Sequence, residues 1–345
     1  MSTGRSVTCT CFRESVGALS DNVGMSRILV TGATGFVGSA VCRELRRRGR
    51  VLRMAVRGDA REMGDDVVTV GDIDGQTDWS RALDGIDRIV HLAARAHVMN
   101  DSAADALGAF TRVNVAGTEH LAQCAAQAGV KRLVYLSSIK VQGESTDHRL
   151  PFSDSSPTAP QDAYGRSKAE AETRLREIAQ RTGLEVVVLR PPLVYGPGVK
   201  GNLRRLLRLV HRGVPLPLAG VDNARSLIGL DNLVDAILTV LDHPCAAGKT
   251  YLVSDGEDLS SETLIGLMAN AMQRPARLWR FPPALLVGLG RLFGRGDEAR
   301  RLVGSLQIDS TRIRDELSWR PPSSVQAGIG DMVRGYLDEL KRAPQ

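Results

Sequence analysis

Ile28-Leu29-Val30-Thr31-Gly32-Ala33-Thr34-Gly35-Phe36-Val37-Gly38 runs from an apolar stretch, through three glycines spaced G-x-x-G-x-x-G, into a segment whose apolar residues recur at helical intervals. A short apolar run bounded by glycine reads as a strand buried on both faces. Each glycine then has a physical task. Gly32 permits a tight turn, Gly35 a close backbone approach to a pyrophosphate, and Gly38 close packing of helix on sheet. The N-terminus of the helix turns unpaired N–H groups towards the phosphates. A glycine triplet alone is only turn chemistry; the strand before it and the helix after it make it a dinucleotide loop, with Gly32, Thr34, Gly35, Phe36, Val37 and Gly38 as cofactor contacts.

Outward from this unit, β-branched apolar runs at residues 28–31, 51–56, 67–70, 88–92, 133–137 and 186–189 alternate with helical patterns. Two of these, 37–48 and 103–128, end at Gly49 and Gly129, as glycine C-caps require. The rhythm predicts an α/β fold: a Rossmann-type doubly wound parallel sheet. Residues 25–190 form the expected dinucleotide-binding domain. Beyond Arg190 the prolines at 191, 192, 197, 215 and 217 break the pattern, so residues 191–345 are expected to form mainly a smaller, interwoven substrate lobe that returns some elements to the sheet. Residues 1–24 lack a continuous apolar stretch and are expected to be a disordered leader or an over-called start before Met25.

The chain has 345 residues, 43% hydrophobic and 24% charged, with a net charge of +6, enough for a large core. Its basic clusters, such as Arg46-Arg47-Arg48 and Arg204-Arg205, fall on helical patterns without interleaved aromatics. Solvated helix faces and an anionic small molecule are therefore expected rather than nucleic acid. Cys9, Cys11, Cys42, Cys124 and Cys245 show neither metal nor disulfide spacing, so no metal is expected, and a reducing cytoplasm suits the set. The longest apolar stretch, around residues 281–293, is shorter than the roughly 20 residues that span a bilayer. Membrane association is not expected, and core or lid packing accounts for it.

The second strand ends at Arg57, with no carboxylate before Asp59, so NADP is favoured over NAD: a guanidinium there suits a 2′-phosphate. Asp72 and Ile73 are expected beside the adenine, and Leu92-Ala93-Ala94 beneath the cofactor. Tyr164 and Lys168, four residues apart at the start of a helical pattern, share one face. An ammonium near a phenol favours the phenolate, so a lowered tyrosine pKa is expected. The strand before them delivers Ser137 and Ser138 at its carboxyl end, where α/β sheets place ligands. Pro191, at the end of the following strand, completes the expected cofactor contacts.

These motifs, with His91-Leu92-Ala93-Ala94, Val113-Asn114-Val115-Ala116-Gly117-Thr118 and Tyr195-Gly196-Pro197-Gly198, resemble the extended short-chain dehydrogenase/reductase family, in particular its NAD-dependent epimerase/dehydratase branch. The resemblance runs over roughly residues 25 to 340. It implies a nucleotide-sugar substrate, with Tyr164 exchanging a proton with the sugar oxygen, Ser138 sharing that hydrogen bond and Lys168 orienting tyrosine and cofactor. Asn114 is then a supporting residue, Asn202 and Arg225 contact the nucleotide diphosphate, and Arg300 or Arg301 adds a second positive charge. It also implies a homodimer through helices at 103–128 and 164–181. Dehydratases of the branch carry an Asp-Glu pair after the catalytic hydroxyl, where this chain has Ile139-Lys140. Leu193 stands where galactose epimerases place asparagine. With Arg57, these departures favour a 4-keto-sugar reductase of surface-polysaccharide synthesis over a UDP-hexose 4-epimerase. A non-catalytic dinucleotide-binding protein is the remote alternative.

Overall fold

The computed structural model describes residues 26–58, 66–96, 103–147, 149–294 and 296–342. The expected leader, Met25, Cys9, Cys11 and Asp59 lie outside them. The strands are β1 (Arg27–Thr31), β2 (Val51–Val56), β3 (Val67–Thr69), β4 (Arg88–His91), β5 (Arg132–Leu136), β6 (Glu185–Arg190), β7 (Leu193–Tyr195), β8 (Leu216–Ala219), β9 (Arg225–Gly229), β10 (Thr250–Leu252), β11 (Asp258–Leu259) and β12 (Leu278–Arg280). The helices are α1 (Phe36–Arg47), α2 (Ser80–Leu83), α3 (Ala103–Phe110), α4 (Gly117–Gln127), α5 (Ala163–Thr182), α6 (Gly201–His211), α7 (Leu230–Asp242), α8 (Ser261–Ala271), α9 (Pro283–Leu292), α10 (Gly296–Val303), α11 (Thr311–Leu317) and α12 (Val325–Arg342).

Side-chain alternation builds the main sheet. Ile28 and Val30 of β1 enter one core with Val41 and Leu45 of α1 and Leu233 and Ile237 of α7. Leu29 points the other way, into a core with Leu121 of α4 and Leu175 of α5. A strand buried on both faces needs parallel neighbours, because helical crossovers cover the faces. The seven strands accordingly run parallel in the order β10-β6-β5-β4-β1-β2-β3. The order reverses between β1 and β4, the switch point where ligands bind in doubly wound sheets.

Past β6 the chain builds a second layer: a three-stranded sheet β11-β9-β7 and the pair β12-β8. Around them α6, α8 and α12 close a core that includes Leu207, Met268, Ile329 and Met332. Two elements of this half return to the main sheet, β10 beside β6 and α7 against α1. Asp255 ties β7, β9 and α7 together, accepting from Tyr195 Oη, Gly229 N and Asn232 Nδ2.

One expectation fails here and another holds only in part. The helix expected over 103–128 is not uniform: a π-helical turn, Thr111–Ala116, separates α3 from α4. Such turns accommodate a residue whose side chain is needed elsewhere, here Asn114. The apolar stretch around α9 enters the core only at its edge: Leu286 packs half-buried against the second layer, while no residue of α9 is fully buried. Period and apolarity alone do not tell a core helix from an uncovered one.

Candidate active site

The glycine loop has the geometry its spacing predicts. Gly32 sits at φ +67, where a Cβ would lie 2.7 Å from Ala93 N. A Cβ on Gly38 would lie 2.0 Å from Gly32 O, so α1 begins directly against the turn. Gly35 N donates to Gly32 O at 2.9 Å and closes the turn. Thr34 and Gly35 are exposed at the helix N-terminus, while Phe36 and Val37 are half-buried behind them. The strand exit follows from β4: Leu92 N donates to Thr31 O at 3.3 Å and Ala93 N to Thr31 Oγ1 at 3.2 Å. Leu92, Ala93 and Ala94 therefore run beside the glycine turn, half-buried.

At the far end of the sheet, Arg57 and Asp72 meet each other, Nε to Oδ1 at 2.9 Å, with 82% and 80% of their side chains exposed. An ion pair so open to water contributes about 0 to 1 kcal/mol and yields easily to a ligand. Ile73 packs against α4, where a Cβ on Gly117 would lie 2.6 Å from its Cγ2. These features form a cradle only glycine can line, next to an exposed helix N-terminus and an exposed cation, and they fit a dinucleotide. Pro191 is buried, and its carbonyl accepts from Ile139 N at 3.0 Å, locking β6 to the segment after Ser138.

Ser138 caps a 3-10 turn, Ile139–Val141, its Oγ accepting from Lys140 N at 3.3 Å. The N-terminus of α5 packs on that turn so tightly that a Cβ on Gly165 would lie 2.7 Å from Lys140 O. Gly165, between Tyr164 and Lys168, thus allows their helix to reach Ser138's turn. Lys168 Nζ donates to Leu136 O at 2.8 Å, two residues before Ser138, and lies 4.5 Å from the Tyr135 ring centroid. Tyr164 stacks edge-on to Phe110 at 6.2 Å between centroids.

The electrostatics differ from the sequence expectation. Burial pushes the Lys168 ammonium down to about 7, against the pull of Glu172. It pushes the Tyr164 phenol up to about 12, with the Asp162 carboxylate adding to the rise. The expected lowering of Tyr164 is therefore absent in the protein alone. Desolvation outweighs an ammonium that is 6.0 Å from the ring centroid and bonded to a carbonyl.

Three networks around this triad were not read from the sequence. Ser137 Oγ donates to Glu172 Oε1 at 2.5 Å, and Glu172 takes both Nε and Nη2 of Arg190, at 3.0 and 2.5 Å, all buried. His91 bridges Thr31 Oγ1 at 2.6 Å and Thr118 Oγ1 at 2.9 Å, and burial, with the charge of Lys168, pushes it down to about 3. Asn114 holds Arg95 N and O at 2.8 and 3.1 Å and donates to Ser167 Oγ at 3.0 Å, joining the strand exit to the helix of Lys168. Family motifs mark Asn114 and His91 without their partners, and Glu172 has a signal in its spacing, four residues after Lys168 on the same helix.

The expected substrate contacts scatter. Asn202 is exposed in the first turn of α6. Arg225 Nη1 donates to the carbonyls of Arg301 and Gly304 at 2.9 and 3.0 Å, holding the end of α10. Arg301 in turn pairs with Glu144 at 2.9 Å. The basic helix faces also find acids: Arg48 meets Glu44 and Asp235, Arg204 meets Glu339 and Arg205 meets Glu298.

A glycine-rich turn at the switch point of a parallel sheet, with a serine after β5 and a tyrosine-lysine pair on α5, is the architecture of the extended short-chain dehydrogenases/reductases. Within that class the chain belongs to the NAD dependent epimerase/dehydratase family, whose model matches residues 28–254. A Vibrio cholerae protein named UDP-glucose 4-epimerase is 42% identical over 319 residues, 91% of this chain and 97% of the relative. Among solved structures, MoeE5 in complex with UDP-glucuronic acid and NAD is 25% identical, covers 91% of this chain and 100% of its own, and superposes with a TM-score of 0.74. A short-chain dehydrogenase/reductase superfamily protein from Agrobacterium tumefaciens with bound NAD is also 25% identical, over 92% of this chain and 98% of its own, with a TM-score of 0.73.

Proposed function

We propose that the protein is a 4-epimerase acting on a UDP-linked hexose. Carrying the choice of reaction is the 42% identity to the Vibrio cholerae UDP-glucose 4-epimerase over 97% of that relative. The site supports it by what stands beside Ser138. Ile139 is buried, and Lys140 Nζ is held by Glu144 at 2.9 Å and Asp162 at 2.5 Å. Burial works to raise Asp162, yet Lys140 and the Gly165 N–H hold it below the usual carboxylate range. Asp162 is then no proton donor for elimination, and the positions after Ser138 carry Ile139 and Lys140 rather than an acid pair, which disfavours dehydration.

The cofactor contacts would be the Gly32 turn, Thr34 and Gly35 at the start of α1, Ala93, Tyr164, Lys168 and, at the adenosine end, Arg57 with Asp72. The dinucleotide, when bound, supplies hydride acceptance and return at C4. Tyr164 Oη takes the proton of the C4 hydroxyl and gives it back, and Ser138 Oγ holds the same oxygen. Lys168, fixed by Leu136 O, adds positive charge that favours the phenolate as the site fills and water leaves. Dimerisation through α4 and α5 and a cytoplasmic setting accompany this reading.

Reduction of a 4-keto nucleotide sugar, the reaction the sequence favoured, remains as a second reading because of Arg57. An exposed guanidinium at the end of β2 suits the 2′-phosphate of freely exchanging NADPH. One experiment separates the two. Purified protein is given UDP-glucose without added cofactor, or a UDP-4-keto-6-deoxy sugar with NADPH, and products are followed by NMR. Cofactor-free formation of UDP-galactose supports epimerisation. No turnover of UDP-glucose, with NADPH consumed one for one with the ketone, establishes the reductase instead.

A further inference from the structure

From Arg274 to Gly296 the sequence holds five arginines and no aspartate or glutamate, around the apolar run Pro282-Pro283-Ala284-Leu285-Leu286-Val287. The structure folds this stretch into β12 and α9, packs Leu278 and Leu286 half-buried against the second-layer core, and leaves the other face of α9 uncovered. Leu285, Leu289 and Leu292, at helical spacings of four and three, are 57%, 47% and 78% exposed, and Phe293 is 74% exposed. Trp279, 47% exposed, stacks edge-on to Phe281 at 5.3 Å. Arg274, Arg277, Arg280 and Arg291 are exposed around them. A large apolar patch open to water marks a contact surface, because water exacts a cost for every such side chain left bare.

We propose that β12 and α9 dock this protein on the surface of an anionic membrane, with α9 lying in the interface. Charge selects the occupant. The stretch itself carries arginines and no acid, and the neighbouring Glu262 and Glu298 are engaged by Gly220 N and Arg205. The net positive rim therefore complements anionic lipid headgroups, whereas a second copy in a two-fold contact would bring the same arginines against each other. A tryptophan and a phenylalanine beside a leucine face are the side chains that sit at the headgroup level. At ten residues, α9 is about 15 Å long and cannot span a bilayer. The half-buried Leu278 and Leu286 meet the core packing expected from the sequence, and the exposed face is what the membrane would cover. The surface lies close to the chemistry: α10, packed on α9, carries Arg301, whose partner Glu144 also holds Lys140 next to Ser138. Docking would bring the cleft near the membrane, where an amphiphilic sugar carrier or product is found.

The test uses the full chain with vesicles of phosphatidylcholine, alone or mixed with phosphatidylglycerol, read by co-sedimentation and tryptophan fluorescence. Trp79 and Trp319 are 1% and 3% exposed, so Trp279 dominates any spectral change. Sedimentation and a blue shift with the mixed vesicles only, both reversed by salt, are expected. Replacing either Arg280 or Arg291 by Gln weakens binding roughly fivefold, and Leu292→Glu with Phe293→Glu weakens it roughly tenfold or more. Turnover of free nucleotide sugar stays unchanged in all of them. Absence of both sedimentation and blue shift overturns the proposal. So does undiminished binding by the Leu292→Glu, Phe293→Glu variant, or its conversion of a dimer to a monomer in light scattering, which would mean that a second copy covers the patch. Should that variant fail to fold, the arginine variants and the wild-type Trp279 shift decide the question alone.

Discussion

Lys140 and Asp162, 22 residues apart in sequence, meet at 2.5 Å, while the other carboxylate oxygen of Asp162 accepts from Gly165 N at 2.7 Å. One side chain therefore caps the helix that carries Tyr164 and anchors the turn that carries Ser138. Asp162→Ala loses both functions. Loss of the cap costs about 1 kcal/mol of stability, and misplacement of the phenol lowers kcat on the order of tenfold to a hundredfold. Asp162→Asn keeps the cap and falls between. Steady-state kinetics beside cofactor titration check this; equal kcat in all three proteins would show that the bridge does not position the site.

Tyr164→Phe keeps the ring against Phe110 and removes only the hydroxyl. Turnover is expected to drop by about 10² to 10⁴, with cofactor affinity within a few-fold of wild type. Fluorescence titration and rate measurements separate the two, and undiminished turnover rules out the proton role.

Gly38→Ala places a methyl 2.0 Å from Gly32 O, which only movement of the turn relieves. Cofactor affinity, measured by calorimetry, is expected to collapse. Gly108→Ala is the control, because nothing lies within 4 Å of its added Cβ; it is expected to stabilise α3 by at most about 1 kcal/mol. If both substitutions behave alike, the close approach at Gly38 has no importance.

Arg190→Met strands the Glu172 carboxylate in a core where it is 2% exposed. The expected loss is about 3 to 5 kcal/mol in urea unfolding. Adding Glu172→Leu should recover most of it, since removing both charges leaves none uncompensated. A single variant as stable as the double would refute the pairing.

Lys168 sets a pH dependence of known sign. Its native pKa lies at about 7, below its usual 10.5. Between those values the unfolded chain holds a proton that the native chain has released, so stability rises with pH above 7 and is lost as pH falls back towards 7. Tyr164, raised from 10 to about 12, acts oppositely and lowers stability only above pH 10. Urea midpoints from pH 7 to 10 should climb in the wild type and flatten in Lys168→Met. A slope that survives the substitution assigns it to another group.

Much of the site was legible because its signals are local. The turn at Gly32 follows from neighbours within one βα unit, and Tyr164 and Lys168 share a face through helical spacing alone. Asn114 was named from a motif, but its two grips, on Arg95 and Ser167, depend on a π-helical turn that no periodicity announced. Arg225 was expected as a diphosphate contact from the family resemblance, and its Nη1 bonds to the carbonyls ending α10 were not readable from the sequence. A lowered Tyr164 pKa was inferred from one neighbour, and burial reversed the sign.

By itself the sequence determined the six main strand segments and their parallel direction, the glycine-rich turn, and the helical spacing that puts Tyr164 and Lys168 on one face. Each rests on alternation, glycine permissiveness or a single helical turn, all written in residues near one another. Only the tertiary structure decided which distant charges meet: Arg301 with Glu144 across 157 residues, Arg190 with Glu172 in the core, and Lys140 between two carboxylates. It also decided that the face of α9 carrying Leu285, Leu289 and Leu292 is left to water. Whether an apolar helix is covered depends on what the rest of the chain packs against it, which local composition does not encode.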